Sequence, residues 1–430
     1  MYLFKLFKMR SLSPIFFIIF FAFIAIIDSY TFRAVRILSG ELSGWLKILI
    51  YSIYWAIPLI IAITLFYVTA HLRAALTTNM FHWFYFLLGF FVLLYVPKLF
   101  FIPFQLGNDL YRFTGFTLSK LFSDQSKIAL IGESMTQAVF LIKMGIIVAA
   151  IPFFSLVYGI AIGRFNYQVN KQTLYFDNLP ESFDGFRILQ ISDWHIGSFN
   201  GHYNRVSESI ELINRQHADL ILFTGDLVNN VATEAKEFIP LLQKLRAPSG
   251  VYSILGNHDY GEYVQWDRVE DHEKNMADLF SYEAEAGWKL LRNESVILKR
   301  GVDSIGLAGV ENWGLPPFPQ YGDLDKALEK IKTLKFKILM SHDPTHWDAE
   351  VRSKSDVDLT LSGHTHAMQF GINLPGLKWS PIKWRYPRWA GLYKEGKQYL
   401  YVNVGIGYIA FPGRVGFLPE ITVFELKKKR

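Results

Sequence analysis

The sequence predicts two unlike halves: membrane-spanning α-helices at the N-terminus, followed by a soluble α/β domain. Up to about residue 163 the chain consists of long apolar runs separated by short polar links. From about residue 165, short runs rich in Ile, Leu and Val alternate with predicted amphipathic helices such as 203–216 and 234–245. Only 19% of the residues are charged, against about 25% in an average soluble domain. The predicted domains are therefore residues 1–163 and 165–430.

The first domain contains apolar runs that predict about four spanning helices. The longest uncharged run, Ile48 to Ala70, is long enough to cross about 30 Å of hydrocarbon. Buried core helices are the alternative, but aromatic residues such as Trp45 and Trp83 at the edges are typical of membrane interfaces. The predicted helices cover residues 12–30, 46–70, 81–103 and 139–162.

The orientation of these helices is only weakly indicated. Lys5, Lys8 and Arg10 favour an N-terminus on the inside, and an even number of spans would return the C-terminal half to the cytoplasm. The links on the opposite side also carry basic residues, among them Arg33 and Lys98, so the charge rule gives no clean answer. The sequence therefore favours a cytoplasmic C-terminal domain by a small margin.

The second domain contains five strand-like runs that each end at a group able to bind metal. The runs cover residues 187–192, 219–224, 250–255, 336–340 and 357–361. Because strand ends converge at one edge of an α/β sheet, the side chains that follow them are expected to cluster. A lone His there is usually a surface or core residue and a lone Gly-Asp is usually a turn, but the joint pattern indicates a metal site. The following residues are Asp193, His195, Asp226, Asn257, His258, Asp259, His342, Asp343, His364 and His366.

The chain has no cysteine, so any metal must be held by His, Asp, Glu or Asn. Glycine precedes Asp226, Asn257 and His364, and it allows the backbone to turn tightly and bring each ligand close to the centre.

The ordered set Asp-x-His, Gly-Asp, Gly-Asn-His-Asp, a single His and Gly-His-x-His resembles the calcineurin-like metallophosphoesterases over about residues 183–426. The segments 391–393, 402–407 and 419–421 are similar to the closing segments of the membrane-associated bacterial phosphodiesterase branch. One departure is 367–369, where Ala-Met-Gln replaces the more usual Gly-Gly-Gln; this affects loop shape but not the ligands. The resemblance implies a β-sandwich flanked by helices, and it implies the inner membrane of a bacterium as the location.

The resemblance also implies two divalent metal ions, Mn, Zn or Fe, with Asp226 bridging them. The first ion would take Asp193, His195, Asp226 and His366, and the second would take Asp226, Asn257, His342 and His364. His258 would not be a ligand but would face the phosphate, stabilising its charge or protonating the leaving oxygen.

Two neighbouring carboxylates are left with open roles. Asp259 could orient His258 or cap the following turn. Asp343 could support a histidine ligand or act as a turn residue before Pro344.

The segment 377–389 contains three Trp, one Tyr, two Lys and two Arg. Trp and Tyr favour the headgroup level of a membrane, and Lys and Arg favour anionic lipid. The segment predicts a membrane-facing lip carrying Trp379, Trp384 and Trp389, with a packed aromatic cluster and solvated charges as an equal alternative. Basic and aromatic residues could also bind nucleic acid, which is less natural beside four spans.

The sequence thus predicts a membrane-anchored two-metal phosphodiesterase or pyrophosphatase, whose favoured partners are membrane lipids and a lipid-linked phosphate ester. The alternatives are a tethered nucleotide phosphodiesterase and a membrane sensor or transporter with a non-catalytic metal-binding domain. The complete ligand set favours an enzyme, and spans without buried charge, with Lys143 near an edge, argue against transport. No pattern indicates the oligomeric state.

Overall fold

The computed structural model describes residues 14–71, 78–121 and 129–430. The chain divides into two compact units, and the boundary in the sequence falls between Tyr158 and Gly159. Residues 12 and 13 of the first predicted helix lie outside the described residues, as do Lys5, Lys8 and Arg10, on which the predicted orientation depends. Each unit is described separately below.

The N-terminal unit is built from long apolar helices. Each helix contains a segment of 21 to 35 residues that is long and apolar enough to cross a membrane. The predicted set of four N-terminal apolar helices is therefore confirmed among the described residues, and the observed helices are generally longer than the predicted ones. Their bounds are α1 Pro14–Leu38, α2 Gly44–His71, α3 Thr78–Leu121 and α4 Ala129–Ala161.

The expectation that the spans lack buried charge is wrong. Asp28 of α1 is completely buried, and its carboxylate accepts hydrogen bonds from Tyr95 Oη at 2.7 Å and Lys98 Nζ at 2.5 Å, both on α3. Arg33 donates to both carboxylate oxygens of Asp109 at 2.7 and 2.8 Å. Pairing lowers the cost of charge in apolar surroundings, so these contacts connect α1 with α3. An absence of buried charge therefore no longer argues against transport.

The C-terminal unit contains two six-stranded mixed sheets and a separate hairpin. The first sheet has the strand order β1-β14-β2-β3-β4-β5, and the second has the order β12-β13-β9-β8-β7-β6. The hairpin is formed by β10 and β11. The strands are β1 Gln168–Phe176, β2 Arg187–Ile191, β3 Leu220–Phe223, β4 Val251–Ser253, β5 Lys289–Leu290, β6 Glu294–Arg300, β7 Asp303–Gly309, β8 Lys337–Met340, β9 Leu359–Ser362, β10 Ile372–Leu374, β11 Leu377–Trp379, β12 Gly391–Glu395, β13 Gln398–Val402 and β14 Glu420–Lys428.

The two six-stranded sheets pack face to face with helices on their outer sides. Alternate strand residues point to opposite faces: Ile188 and Ile338 belong to the core between the sheets, whereas Leu189 and Leu339 belong to the outer cores beneath the helices. The predicted β-sandwich flanked by helices is confirmed. The helices are α5 Tyr203–Asn214, α6 Thr233–Lys236, α7 Ile239–Leu242, α8 Val269–Glu285, α9 Leu324–Leu328, a π-helix Trp347–Val351 and α10 Arg352–Lys354.

One predicted helix is divided in two. The segment 234–245 forms the short helices α6 and α7 rather than one amphipathic helix. Pro240 lacks the N–H that would bond to the carbonyl of Lys236, and this missing hydrogen bond favours a break in the helix at this position.

Candidate metal centre

The segments after β2, β3, β4, β8 and β9 meet and bury their polar side chains. Asp193, His195 and His342 are completely buried, and Asp226 and Asn257 are nearly so. Buried polar groups at this density require partners of opposite charge or a hydrogen bond for each polar atom.

The backbone at this edge is strained. Five of the predicted ligands have φ between 48° and 72°, a left-handed region that non-glycine residues rarely adopt. Such strain persists where the surrounding structure enforces it, which is commonly at functional sites. The five residues are Asp193, His195, Asp226, His364 and His366.

Gly225 shows how closely the loops approach one another. Its φ is 94°, and a Cβ atom there would lie 2.5 Å from the Gly256 nitrogen and 2.8 Å from His342 Nδ1. Only glycine fits, as the sequence predicted for the residue before Asp226.

A first group of donors is formed by Asp193, His195, Asp226 and His366, whose donor atoms all lie within 4.8 Å of one another. His366 Nε2 lies 3.1 Å from His195 Nε2 and 3.2 Å from Asp193 Oδ1. Two nitrogens bound to one ion at about 2.1 Å would themselves be about 3 Å apart. The spacing therefore fits a shared divalent cation.

A second group contains Asp226, His342 and His364. His342 Nε2 lies 3.2 Å from Asp226 Oδ2, and His364 Nδ1 lies 3.3 Å from His342 Nε2. Asn257 Oδ1 joins the group at 2.7 Å from His364 Nδ1. The structure thus brings all seven predicted ligands together in two groups that share Asp226.

Backbone carbonyls fix the orientation of two of these histidines. The Nδ1 atoms of His195 and His342 lie 3.2 Å from the Val228 carbonyl and 2.7 Å from the Thr224 carbonyl. A carbonyl can only accept, so Nδ1–H donates and Nε2 is the ring nitrogen that faces the centre.

The charge of the centre favours cations. Burial acts to raise the pKa of Asp193 and Asp226, but the neighbouring histidines hold both carboxyl groups below their usual range. Burial acts to lower the pKa of His342, but Asp226 raises it to about 10. Buried, ionised carboxylates that attract positive charge are suited to divalent metal binding.

His258 lies beside both groups without belonging to either. Its backbone N–H donates to Asp226 Oδ1 at 2.9 Å, and its ring packs edge-on against His195 with centroids 4.9 Å apart. Nδ1–H donates to the Asn229 carbonyl at 2.6 Å, which makes Nε2 the atom that exchanges a proton. Burial lowers the pKa of this imidazole.

Both roles predicted for Asp259 are wrong. Its buried carboxylate neither contacts the His258 ring nor caps the turn that follows it. It accepts backbone N–H groups of Asp226 at 2.7 Å, Leu227 at 2.8 Å, Val228 at 3.2 Å and Gly256 at 2.9 Å. Asp259 therefore fixes the loop that carries the shared carboxylate.

Of the two roles predicted for Asp343, the turn role is the one with hydrogen bonds, and the support of a histidine ligand stays a prediction. Oδ1 accepts from the Thr345 backbone N–H at 2.8 Å and from Thr345 Oγ1 at 2.7 Å, as a turn residue does. Oδ2 lies 3.5 Å from His364 Nε2, on the side of the ring that faces away from the other ligands.

Asp259→Asn is expected to weaken metal binding about 10- to 100-fold, the usual effect of losing a partner that orients ligands. The amide keeps one acceptor oxygen and adds an N–H₂ group that opposes the N–H groups of Leu227 and Val228. In Asp343→Asn the amide oxygen can still accept the two hydrogen bonds from Thr345. This variant should therefore bind metal more tightly than Asp259→Asn. Calorimetric titration with Mn²⁺ measures both affinities, and circular dichroism checks folding. Equal weakening in the two variants would contradict the role of Asp259.

The three tryptophans of the segment 377–389 lie in different environments. Trp384 is 75% exposed and Trp379 is half-buried, whereas Trp389 is only 8% exposed. The Trp389 ring packs edge-on against Phe417, and its carbonyl accepts from Thr365 Oγ1 at 2.6 Å. The lipid-facing prediction is wrong for Trp389, because its ring completes an interior aromatic cluster.

Two charged residues near the site were missed. Arg414 is completely buried; its Nη2 lies 2.8 Å from the Val404 carbonyl and 3.2 Å from His366 Nδ1, and burial lowers its pKa to about 10. Glu234 accepts the backbone N–H groups of Asn229 at 2.6 Å and Asn230 at 3.2 Å, and the second of these shares a peptide unit with the carbonyl that orients His258. The only sequence signal was an arginine within the largely apolar stretch 409–418.

Aromatic side chains from three further loops surround the second group. Tyr386 Oη lies 2.8 Å from His364 Nε2, and Tyr263 Oη accepts from Asn257 Nδ2 at 2.8 Å. Phe318 packs edge-on against His364 with centroids 4.6 Å apart. These contacts hold the ligands and enclose that side of the centre with apolar rings.

The fold and the site together define a class: a helix-flanked β-sandwich in which strand ends supply two Asp/His groups sharing one carboxylate, as in metal-dependent phosphoester hydrolases. The family model for calcineurin-like phosphoesterase matches residues 186–368. The model described as probable calcineurin-like phosphoesterase, transmembrane domain, matches residues 9–164. The chain belongs to the calcineurin-like metallophosphoesterases and is a membrane protein.

Relatives occur in bacteria and animals. The uncharacterized metallophosphoesterase YkuE of Bacillus subtilis is 33% identical over 60% of this chain and 85% of its own length. A Helicobacter pylori metallophosphoesterase is 29% identical over 67% of this chain and 71% of its own. A Danio rerio transmembrane protein with a metallophosphoesterase domain is 29% identical over 59% of this chain, but the match spans only 55% of that relative.

Proposed function

We propose that this protein is a membrane-anchored phosphodiesterase or pyrophosphatase that uses two divalent ions and acts on a lipid-linked or other envelope phosphate. The observation that carries the proposal is the pair of donor groups sharing Asp226. One group would hold an ion through Asp193, His195, Asp226 and His366. The other would use Asp226, Asn257, His342 and His364.

The donor types favour Mn²⁺, Fe or Zn²⁺ over Mg²⁺ and Ca²⁺, which prefer oxygen ligands alone. When bound, such ions supply an activated water and positive charge for the phosphoryl oxygens. The ligand carboxylates of Asp193 and Asp226 and two of the imidazoles are already held by backbone contacts, so little reorganisation is needed to receive the ions.

His258 is assigned the proton-transfer role. The Asn229 carbonyl holds Nδ1–H, so Nε2 is the atom that carries a transferable proton when the ring is protonated. As the oxygen of water bonds to phosphorus and releases a proton to solvent, the bond from phosphorus to the leaving oxygen breaks, and the Nε2 proton passes to that oxygen; the ring is then protonated again from solvent. Until then the imidazolium stabilises the charge on the phosphoryl group.

Two features support a lipid-linked substrate. The catalytic unit follows four helices that can each span a membrane, so the chain holds its hydrolytic site near a bilayer. Trp384 is exposed in the same segment that places Tyr386 against His364. The proposed location is the inner membrane of a bacterium, with the cytoplasmic side favoured.

Lipid-linked diphosphates in mixed micelles are expected to show a kcat/KM at least about tenfold above that of free nucleotides, equivalent to about 1.4 kcal/mol of added transition-state binding. The measurement uses the full-length protein loaded in turn with Mn²⁺, Zn²⁺ and Fe²⁺. Faster turnover of free nucleotides would indicate a tethered nucleotide phosphodiesterase. A fully metal-loaded protein without turnover on any substrate would indicate a sensor or binding function.

A further inference from the structure

The hairpin β10–β11 has one apolar face and one polar face. Ile372 pairs with Trp379, and Leu374 pairs with Leu377. Directly paired residues of an antiparallel hairpin lie on the same face, so these four side chains form one apolar surface. The intervening pair, Asn373 and Lys378, lies on the opposite face.

The polar face is also exposed, and it reaches the rest of the protein through the amino group of Lys378. Lys378 Nζ donates to the Ala390 carbonyl at 2.8 Å and lies 5.3 Å from the centre of the Trp389 ring, and both of these residues are buried. On the apolar face Leu374 is 61% exposed and Leu377 is 52% exposed. A strand pair with one solvated face normally buries its apolar side, whereas in this hairpin the apolar side chains of Leu374 and Leu377 stay exposed along with the polar face.

The exposed apolar surface continues beyond the hairpin. The Trp379 ring contacts Trp384 edge-on with centroids 5.8 Å apart, and Trp384 is 75% exposed. Lys383 and Arg385, on either side of Trp384, are also exposed. Tryptophan favours the interface between headgroups and acyl chains, and lysine and arginine favour anionic headgroups.

We propose that this surface, comprising the apolar face of β10–β11 together with Lys383, Trp384 and Arg385, docks on a bilayer that contains anionic phospholipid. The apolar side chains would enter the boundary between headgroups and acyl chains, and the side chains of Lys383 and Arg385 would contact the phosphates of the lipid headgroups. The protein already carries four membrane spans, so a bilayer is always within reach of the tethered catalytic unit. The basic charge beside exposed tryptophan fits lipid better than a second copy of the same basic surface.

The docking surface is connected to the metal centre at both ends. Before the hairpin, Phe370 lies four residues after the predicted ligand His366 and forms an isolated β-bridge with Val415. After the hairpin, Ser380 Oγ donates to the Ala367 carbonyl at 2.7 Å. Docking would therefore bring lipid headgroups to the side of the site where Tyr386 meets His364. The inference deepens the proposed lipid specificity but does not require turnover.

The chain has no cysteine, so a single introduced thiol can report on bilayer contact. In full-length Leu377→Cys, labelled with an environment-sensitive fluorophore and reconstituted in phosphatidylcholine–phosphatidylglycerol vesicles, we expect a blue-shifted emission that is quenched by brominated acyl chains. Val302→Cys is the matched control, because Val302 is 98% exposed at the turn between β6 and β7, within the same unit. Its label should stay in water.

Equal emission and equal quenching of the two labels would overturn the proposal. A blue shift at Leu377→Cys that grows with protein density, without quenching by brominated lipid, would assign the surface to a second copy and would also overturn it. Lys383→Gln combined with Arg385→Gln should reduce the quenching of the label at position 377. If lipid-linked substrates are not hydrolysed while quenching persists, the proposed function fails and the docking surface stands.

Discussion

Asp226→Asn is expected to remove metal from both positions and to lower turnover by on the order of 10³-fold, since metal ions contribute several kcal/mol to stabilising the transition state. Asp226 is the one side chain that belongs to both donor groups. Asparagine keeps the size of the side chain but lacks the negative charge and the second oxygen acceptor. The same carboxylate accepts the His258 backbone N–H, so the substitution also loosens the segment that carries the proposed proton donor.

Elemental analysis after gel filtration measures the metal content per chain and so tests the expected loss of metal. An assay with a chromogenic phosphodiester tests the expected loss of turnover. Asp325→Asn is the matched control, because it makes the same chemical change at an exposed position of α9 and should retain both metal and activity. Retention of two ions by Asp226→Asn would show that the two groups do not share this carboxylate.

The clustering of the predicted ligands could be read from the sequence because it depends on local patterns. A run such as 187–192 predicts a strand from its composition alone, and Asp193 follows directly after it. Once several strands are expected to end at one sheet edge, the side chains that follow those strand ends are expected to lie close together. Gly225 added a second local signal, since its φ of 94° is a conformation that glycine favours.

The partners of buried charges could not be predicted, because they lie far away along the chain. Asp28 meets Lys98 across 70 residues, and Asp259 meets the Asp226 backbone N–H across 33. Which pairs form depends on how the elements pack, and charge or residue type does not determine this. The same limit applies to Arg414, whose contact with His366 spans 48 residues.

The Trp-rich segment shows a different limit. The spacing of Leu374 and Leu377 indicates which residues share a face once the hairpin is known, but it does not indicate which face turns towards the protein. The usual assumption buries the apolar face, and here Leu374 and Leu377 stay exposed while the Lys378 amino group reaches the Ala390 carbonyl. Trp389 and Trp384 are only five positions apart, yet one is interior and the other is 75% exposed. Composition alone cannot separate them.

His258→Ala is expected to keep both metals but to lower turnover about 10²- to 10⁴-fold, the range for removal of a positioned acid or base. His258 lies beside the two donor groups without belonging to either, so metal content should not change. Equal metal content beside a large loss of kcat would separate this variant from Asp226→Asn. Full activity would contradict the role of His258.

The leaving group of the substrate then distinguishes the two ways in which His258 could act. A proton donor matters most when the leaving oxygen is strongly basic, as in an alkyl ester, and least when it leaves readily, as 4-nitrophenolate does. If Nε2 donates a proton, the defect of His258→Ala should be large for alkyl diesters and much smaller for 4-nitrophenyl diesters. A defect of the same size for both would mean that the imidazolium stabilises phosphoryl charge without transferring its proton. Because Asn229 fixes the ring through Nδ1, His258→Gln, which can donate a hydrogen bond but not a proton, should recover activity only in the second case.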